Sequence, residues 1–521
     1  MRGAWGAGLG VLLTGALGHA VPAQEAGPLS AIDWLRQSAT TSQPGGHPVS
    51  PPGDTAMSGT ISVRPLDALR PEAVGLFPAA RVGLPATVWG PTPADVLAAQ
   101  IASLPTDMLP ALRDLAFRLL LAEFNAPLPA AGVPHPDRPD FLLARVDKLI
   151  EFGALDQAAA LLDALDSPQP ELRLRRFDIG LLLGDEHRAC GGILRDPPAG
   201  DVAAEIFCLA RAGEWQLASE TLDNAIALAR ISPYEADLLT HFIHEEERLP
   251  GASSLLPPPA GTPSPLVWRL LEAAGDPVST LGLPVGFAHA DLRGTIGWRA
   301  QIEAAERLVR VGALSPNRLL GLYTERRAAA SGGIWERVRL VQALDDALRA
   351  GDAARVAAAL TEAWPQIQAG ELEVAMASLY ARPLAALPLD RDAAALAFRI
   401  GLLSEDYEVV ALGLAPDADP EARFLAAVAR GLDPAQSGRM AGDTAAAVAM
   451  AFGPDAQMPD SVRAHVEEGR LGEEMLLVLN RLGGPGDPRL LAEGLATLRG
   501  LGLEDIARRT ALESLLLERN G

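Results

Sequence analysis

The sequence predicts an all-α protein built from stacked helical hairpins, and three observations support this fold class. Apolar residues make up 49% of the 521 residues but aromatic residues only 5%, so the core must consist of Leu, Ala and Val. Closely packed helices suit this composition better than a sheet, which favours β-branched and aromatic side chains. Apolar residues also recur at helical spacing, and single glycines separate one apolar stretch from the next. An α-solenoid is the architecture that combines these features.

The clearest hairpin lies at residues 141–165. Apolar residues recur at helical spacing on both sides of Gly153, namely Leu142, Val146, Leu149 and Ile150 before it and Leu155, Ala158, Ala159 and Leu162 after it. Glycine accepts the left-handed conformation that ends a helix, so Gly153 separates two short amphipathic helices. Neither helix can bury its apolar stripe alone, and each is expected to pack against the other.

The same pattern recurs along the chain. An alanine or valine follows each glycine by five residues and a further apolar residue follows by nine, at Gly153, Gly184, Gly213, Gly351, Gly370 and Gly502. The segment 213–228 resembles the middle of a tetratricopeptide repeat. That repeat has a glycine, an alanine five residues later, a bulky residue four further on and another alanine three further on. The corresponding residues here are Gly213, Ala218, Leu222 and Ala225. The resemblance covers about residues 141–228 and implies stacked hairpins around a binding groove. Ile206 and Leu165 depart from it, and a less regular helical array is the alternative.

Residues 1–23 are predicted to be a secretory signal peptide. Arg2 supplies the positive start, an apolar stretch follows, and small residues precede Gln24. The apolar stretch is shorter than the roughly 20 residues that span a bilayer. We therefore expect no transmembrane segment, a mature chain that starts at Gln24, and a periplasmic protein.

Residues 24–93 form a Pro/Gly-rich, low-complexity and largely irregular region. A short helix is expected near residues 29–37 and would expose Trp34, which either folds back on the same protein or binds another one. The stretch 61–89 is expected to lie along the surface of the helical body. We predict an N-terminal hairpin array at 94–249, an irregular hinge at 250–295 and a C-terminal hairpin array at 296–521.

Cys190 and Cys208 are the only cysteines, and an exported protein meets an oxidising compartment in which paired thiols close. The two residues fall on successive predicted helices that run antiparallel, at similar distances from the turn between them. The sequence therefore predicts a disulfide between them. Two buried free thiols are the alternative.

We predict no catalytic, cofactor or metal site. His241, His244 and Glu245 share one helical face, but neither metalloprotease pattern HExxH nor HxxEH is present, and a solvated charged face explains them. The acidic pairs of the chain are interpreted as helix-surface residues. The protein is therefore predicted not to be an enzyme.

The expected function is that of an exported, non-catalytic protein–protein interaction scaffold. A formal net charge of −22 disfavours nucleic acid, and the partner is expected to be a protein or peptide of the cell envelope. Arg145, Arg173 and Arg211 would line the groove and bind carboxylates, because each can hold one by two hydrogen bonds. The alternative is a cell-wall (peptidoglycan) enzyme or accessory domain built on a helical superhelix. The oligomeric state stays open.

Overall fold

The computed structural model describes residues 70–129, 139–165, 169–197, 201–244, 257, 259, 261–328, 330–484 and 486–517. The predicted signal peptide and the short helix with Trp34 lie outside these residues. The described residues belong to one compact unit, Asp67–Gly521. They confirm the all-α prediction, since strand structure within them is confined to a parallel pair of two residues each, β1 (Phe77–Pro78) and β2 (Ala122–Glu123).

The first group of helices lies between residues 94 and 325. They are α1 (Ala94–Ala102), α2 (Pro110–Leu121), α3 (Asp140–Glu151), α4 (Leu155–Asp163), α5 (Pro170–Leu183), α6 (Glu186–Arg195), α7 (Val202–Arg211), α8 (Trp215–Ala227), α9 (Pro233–Ile243), α10 (Pro265–Ala273), α11 (Trp298–Arg310) and α12 (Pro316–Glu325). Short 3₁₀ helices lie at Pro71–Ala73, Ala79–Val82, Thr280–Gly282 and Val285–Leu292.

The second part continues the same pattern. Its helices are α13 (Ile334–Ala350), α14 (Ala353–Ala369), α15 (Glu373–Ala385), α16 (Arg391–Leu402), α17 (Tyr407–Leu412), α18 (Pro420–Ala429), α19 (Pro434–Ser437), α20 (Asp443–Phe452), α21 (Asp460–Glu467), α22 (Leu471–Leu482), α23 (Pro488–Gly500) and α24 (Glu504–Leu516). None of the helices in the described residues is both long and apolar enough to cross a bilayer.

Local sequence signals set several helix starts. At α9, Ser232 Oγ accepts a hydrogen bond from the backbone N–H of Glu235 and donates one to its carboxylate, at 3.2 and 2.6 Å. Pro233 occupies the first helical turn, where its missing N–H costs nothing. The Ser232 hydroxyl thereby caps the helix and satisfies the Glu235 N–H, which the helix itself leaves unpaired.

Glycines with a left-handed backbone lie at the turns of the first hairpins. Gly153, Gly184 and Gly213 have φ values of 73°, 79° and 86°, in the left-handed region. The alanines five residues later, Ala158, Ala189 and Ala218, are at most 5% exposed, and the larger residues nine positions on are buried too. The packed helix pairs are compatible with a helical-repeat fold.

At Gly370 the predicted pattern is wrong by one residue. Gly370 has a φ of −92°, and Glu371 takes the left-handed conformation instead, with a φ of 53°. Counting from Glu371, the positions five and nine residues on are Met376 and Tyr380, which are 0% and 5% exposed. The hairpin α14–α15 thus follows the same geometry, but a glutamate stands where glycine would fit with less strain.

The chain that precedes α1 contributes to the core. Trp89 is 2% exposed and packs edge to face on Phe124 and Phe141, with ring centroids 5.5 and 5.3 Å apart. At Trp89, the last residue of the stretch expected to lie along the helical body, the chain packs into that body. A large aromatic side chain in a core of Leu and Ala fills volume that small side chains would leave empty.

Between α10 and α11 the chain is irregular but packed. The 3₁₀ helix Val285–Leu292 contacts α5 and α11, and His289 within it is 5% exposed. Burial lowers the pKa of His289, which favours the neutral ring, and its Nε2 donates to the Gly153 carbonyl at 2.7 Å. The domain boundaries at residues 93, 249 and 295 stay predictions.

The last helices pack against the first ones. Helix α24 contacts α2, and α22 contacts both α1 and α2, so these four helices share one hydrophobic cluster. We call this group of four helices the junction. Polar contacts cross it: Thr92 Oγ1 donates to Glu473 at 2.8 Å, and the Ala111 N–H in the first turn of α2 donates to Glu513 at 2.9 Å. The first and last helices of the described residues are therefore in contact.

Candidate functional site

Two adjoining cavities lie beside the junction and form what we call the junction cleft. Their volumes are about 570 and 690 Å³, and both are lined by Asp107 and Glu371. The walls come from the loop before α2, the end of α11, the α14–α15 turn, the loop before α23 and the end of α24. Cavities of this size fall in the range of small-molecule and peptide sites.

The first cavity is lined by charges of both signs, since Asp107, Glu151 and Glu371 face the same space as its arginines. Three of its ten lining residues are Arg113, Arg307 and Arg310. Arg113 is 5% exposed and donates to the carbonyl oxygens of Arg310 and Met108, at 2.8 and 2.9 Å. It thereby satisfies a carbonyl at the C-terminal end of α11, where the helix dipole favours a positive charge.

Arg307 is held in a similar way. Its two terminal nitrogens donate to the carbonyl oxygens of Thr280 and Leu283, at 2.8 Å each. Burial lowers the pKa of Arg307, and the nearby Asp291 carboxylate opposes this shift. Backbone carbonyl oxygens therefore accept hydrogen bonds from the guanidinium groups of both Arg113 and Arg307.

Arg310 differs from Arg307. Its Nε is buried and meets no hydrogen-bond acceptor among the described residues, and no carboxylate there forms an ion pair with it. Elsewhere in the protein a buried pair such as Arg337–Glu306 is bonded at 2.8 and 2.7 Å. A buried guanidinium nitrogen without an acceptor is unfavourable, and this sets Arg310 apart from the bonded pair Arg337–Glu306.

The wall that the two cavities share is acidic. Asp107 and Glu371 are exposed there, and Glu371 is one of two non-glycine residues with a left-handed backbone in the described residues. This conformation costs an L-residue about 1–2 kcal/mol relative to the right-handed one. Such strain occurs at functional sites, which makes Glu371 a candidate functional residue.

The second cavity is lined by apolar and polar groups in similar measure. Leu482, Leu490 and Leu491 line it, together with Arg481 and Thr510. Thr510 is fully buried, and its hydroxyl meets no hydrogen-bond partner among the described residues. An elongated ligand could bury apolar side chains here while its polar end occupies the first cavity.

The arginines that the sequence singles out lie elsewhere. Arg145 is 2% exposed, and its guanidinium donates to the Leu120 carbonyl at 2.7 and 2.9 Å. It closes the C-terminal end of α2 and cannot reach a partner. Burial lowers its pKa to about 10, an effect that the nearby Glu72 carboxylate opposes.

Arg173 and Arg211 differ in exposure. Arg173 is 9% exposed and pairs with Asp196 at 2.8 Å, so its charge is already compensated. Arg211 is exposed at the end of α7. Of the three predicted arginines, only Arg211 is open to a partner. Trp34 lies outside the described residues.

Cys190 and Cys208 are joined by a disulfide. They lie on α6 and α7, the successive helices on which the sequence places them, with Cα atoms 5.2 Å apart. Both side chains are at most 6% exposed. For metal binding, no group of three or more His, Cys, Asp or Glu within the described ranges is arranged to hold an ion.

Sequence reasoning missed the junction cleft because its walls are hundreds of residues apart in the chain. Arg310 is separated from Glu371 by three helices, α12 to α14, and from Thr510 by most of the C-terminal half. The single local signal was Glu371 directly after Gly370, at a turn where the other hairpins place glycine. Comparison with protein-family models, with curated proteins and with solved structures finds no match.

Proposed function

We propose that this protein is an exported, non-catalytic binding protein that takes a segment of a protein or peptide partner into the junction cleft. The observation that carries the proposal is the cleft itself, which combines two cavities of ligand size with a strained glutamate and with Arg310, whose Nε meets no acceptor among the described residues. Such a combination of volume and unsatisfied polar groups is typical of a binding site.

The position of the cleft supports a role in partner recognition. Helices from both ends of the described chain and from its middle contribute to the walls, so ligand binding and closure of the junction depend on the same packing. Groups held on packed helices keep a fixed geometry, which lowers the entropy cost of binding. We further propose that the hairpins around residues 141–228 are tetratricopeptide-like.

Export to the periplasm is part of the proposal. The disulfide between Cys190 and Cys208 supports it, because disulfides persist in oxidising compartments. The expectation that the protein is not an enzyme stays a prediction, as does the alternative of a cell-wall enzyme, which a peptidoglycan-release assay would detect.

Site-specific photocrosslinking tests the proposed function. Leu490 is 37% exposed and lines the second cavity, whereas Leu432 is 44% exposed and lines neither cavity. A photoreactive phenylalanine analogue at Leu490 should crosslink a protein or peptide in the native cells, and the same analogue at Leu432 should not. Equal crosslinking at both positions, or none at either, would contradict binding in the junction cleft.

A further inference from the structure

We propose that the outer face of α8 binds a basic amphipathic helix of a protein partner. Four large apolar side chains of this helix and its C-terminal cap are between 49% and 69% exposed: Trp215, Leu217, Ile226 and Leu228. We call these four residues and the carboxylates of Glu220 and Asp223 the α8 face. No residue of α8 lines the junction cleft, so the inference is separate from the proposed function.

The exposure of large apolar side chains is particular to α8. Helices α4 and α6 occupy the same place in their hairpins, after Gly153 and Gly184, yet neither exposes a large apolar side chain. In α8 the buried residues are confined to a narrow stripe of Ala218, Leu222 and Ala225. No other helix of the described residues carries more than two exposed large apolar side chains. Such side chains gathered on one helix are typical of an interaction surface.

The four apolar residues form two edges of the α8 face. Trp215 and Ile226 are about three helical turns apart and lie along one side of α8. Leu217 and Leu228 have the same separation and lie along the other side. Phe242 of α9 adjoins the first edge, with its ring centroid 6.4 Å from that of Trp215. The two carboxylates of the face lie on the outward side between these edges, each within one turn of an apolar residue.

The charge of the α8 face decides between its occupants. Segment 212–229 contains Glu214, Glu220 and Asp223, all exposed, and no lysine, arginine or histidine. An anionic lipid surface would be repelled. A second copy that docks by the same face would bring carboxylates against carboxylates, and residues 24–69 of this chain carry more acidic than basic side chains. A partner with cationic side chains is the occupant whose charge complements the face.

Long cationic side chains also match the apolar edges. The alkyl stems of lysine and arginine pack on apolar surface while their charged heads reach a carboxylate or water. An amphipathic helix places such side chains beside its apolar stripe, at the spacing at which neighbours on a helix surface meet. The occupant that the α8 face fits is therefore a helix whose apolar stripe is bordered by lysine or arginine.

Binding of three labelled peptides to the full mature protein, measured by fluorescence anisotropy, tests this inference. The first is an amphipathic helix of leucine and lysine with about five turns. The second replaces each lysine by glutamate, and the third scrambles the first so that no apolar stripe remains. The first should bind at least about tenfold more tightly than either other peptide, because it alone combines apolar burial with opposite charge. Equal binding of the second or third peptide, or no binding of the first, would overturn the proposal.

Two variants locate the binding site on α8. Leu217→Ser/Leu228→Ser removes one apolar edge and should weaken binding of the first peptide by about tenfold. Glu220→Gln/Asp223→Asn removes the charges between the edges and should weaken it by about threefold, with a smaller salt dependence. All four positions are exposed, so the thermal unfolding midpoint of both variants should equal that of the wild type. Binding that either variant leaves unchanged would overturn the proposal.

Matched controls remove similar groups from other helices. Val409→Ser/Leu412→Ser removes two apolar side chains of α17 that are each 68% exposed. Asp346→Asn/Glu362→Gln removes two exposed carboxylates, one from α13 and one from α14. Both controls should bind the first peptide as the wild type does. A loss in the controls equal to that in the α8 variants would show attraction to the acidic chain as a whole and would overturn the proposal.

Other occupants of the α8 face give different results. A photoreactive phenylalanine analogue at Leu217 of the full mature protein would crosslink to residues 24–69 if the chain covered its own face. Sedimentation equilibrium would find a dimer that Leu217→Ser/Leu228→Ser dissociates if a second copy covered it. Vesicles of phosphatidylglycerol would cosediment with the protein if the face bound a lipid surface. Each of these three results would overturn the proposal, and we expect none of them.

Discussion

The hairpins from α3 to α8 and the junction are held together by different kinds of contact. In the hairpins the helices after α3 pack mainly on their neighbours in sequence, and Gly153, Gly184 and Gly213 mark the turns. In the junction, hydrogen bonds join residues 381 and 402 positions apart, from Thr92 to Glu473 and from Ala111 to Glu513. The local region can form from its own sequence, whereas the junction can form only after the rest of the chain is in place.

Core truncation should show this difference most strongly. Leu512 in α24 is 0% exposed and shares a hydrophobic cluster with α2. Leu222 in α8 is 3% exposed and belongs to a separate cluster formed by α5 to α10. Leu512→Ala and Leu222→Ala should each cost about 2–5 kcal/mol in the free energy of unfolding of their region. Hydrogen exchange should increase in α2 as well as α24 for Leu512→Ala.

Leu222→Ala is the matched control. Its increase in hydrogen exchange should stay within α7 to α9, the helices that pack on Leu222 and its neighbours. If Leu512→Ala leaves exchange in α2 unchanged, the two ends of the chain do not stabilise one another and the comparison fails.

The disulfide should affect only the local region. It closes a loop with a sequence separation of 18 residues, and the chain-entropy model gives such a loop about 3 kcal/mol of stabilisation. Cys190→Ser/Cys208→Ser should raise hydrogen exchange in α6 and α7 and leave α22 and α24 unchanged. Denaturing thiol titration of the oxidised wild-type protein should find no free thiol, and two thiols would contradict the bond.

Acidification should stabilise the hairpin region and destabilise the junction. Burial raises the pKa of Glu72, which caps α3, and of Asp178 in α5 to about 7 each. In the junction, burial raises the pKa of Glu473, but hydrogen bonds from Arg470 and Thr92 outweigh it and the pKa is lowered from 4.5. A raised pKa means that the folded state binds the proton more tightly than the unfolded state, and a lowered pKa means the reverse.

Between pH 8 and pH 6 the hairpin region should therefore gain on the order of 1 kcal/mol for each raised carboxyl. This gain is lost again as the pH rises through 7. The contribution of Glu473 is present above pH 4.5 and is lost as the pH falls below that value. Hydrogen exchange at pH 8, 6 and 4, corrected for intrinsic rates, measures both effects. Glu72→Gln/Asp178→Asn should abolish the first, and persistence of the gain in that variant would contradict its assignment.

The comparison also explains how much the sequence could predict. Helical periodicity and the glycine turns are local, and the all-α fold follows from them. Arg145 looks like a groove residue in the sequence, but its burial depends on α2, whose carbonyl it satisfies. Neither the junction nor Arg310 beside it could be predicted, because no local pattern specifies which helices meet after hundreds of intervening residues.

A cysteine pair across the junction tests the central claim most directly. Ser103 Oγ lies 3.1 Å from Asn480 Oδ1, on the two sides of the junction. The variant Ser103→Cys/Asn480→Cys, with the native disulfide intact, should oxidise to a second disulfide within one chain. This bond would close a loop of 377 residues and increase mobility on a non-reducing denaturing gel. Two thiols that stay free under oxidising conditions, with either single variant as the reference, would contradict the contact between the first and last helices.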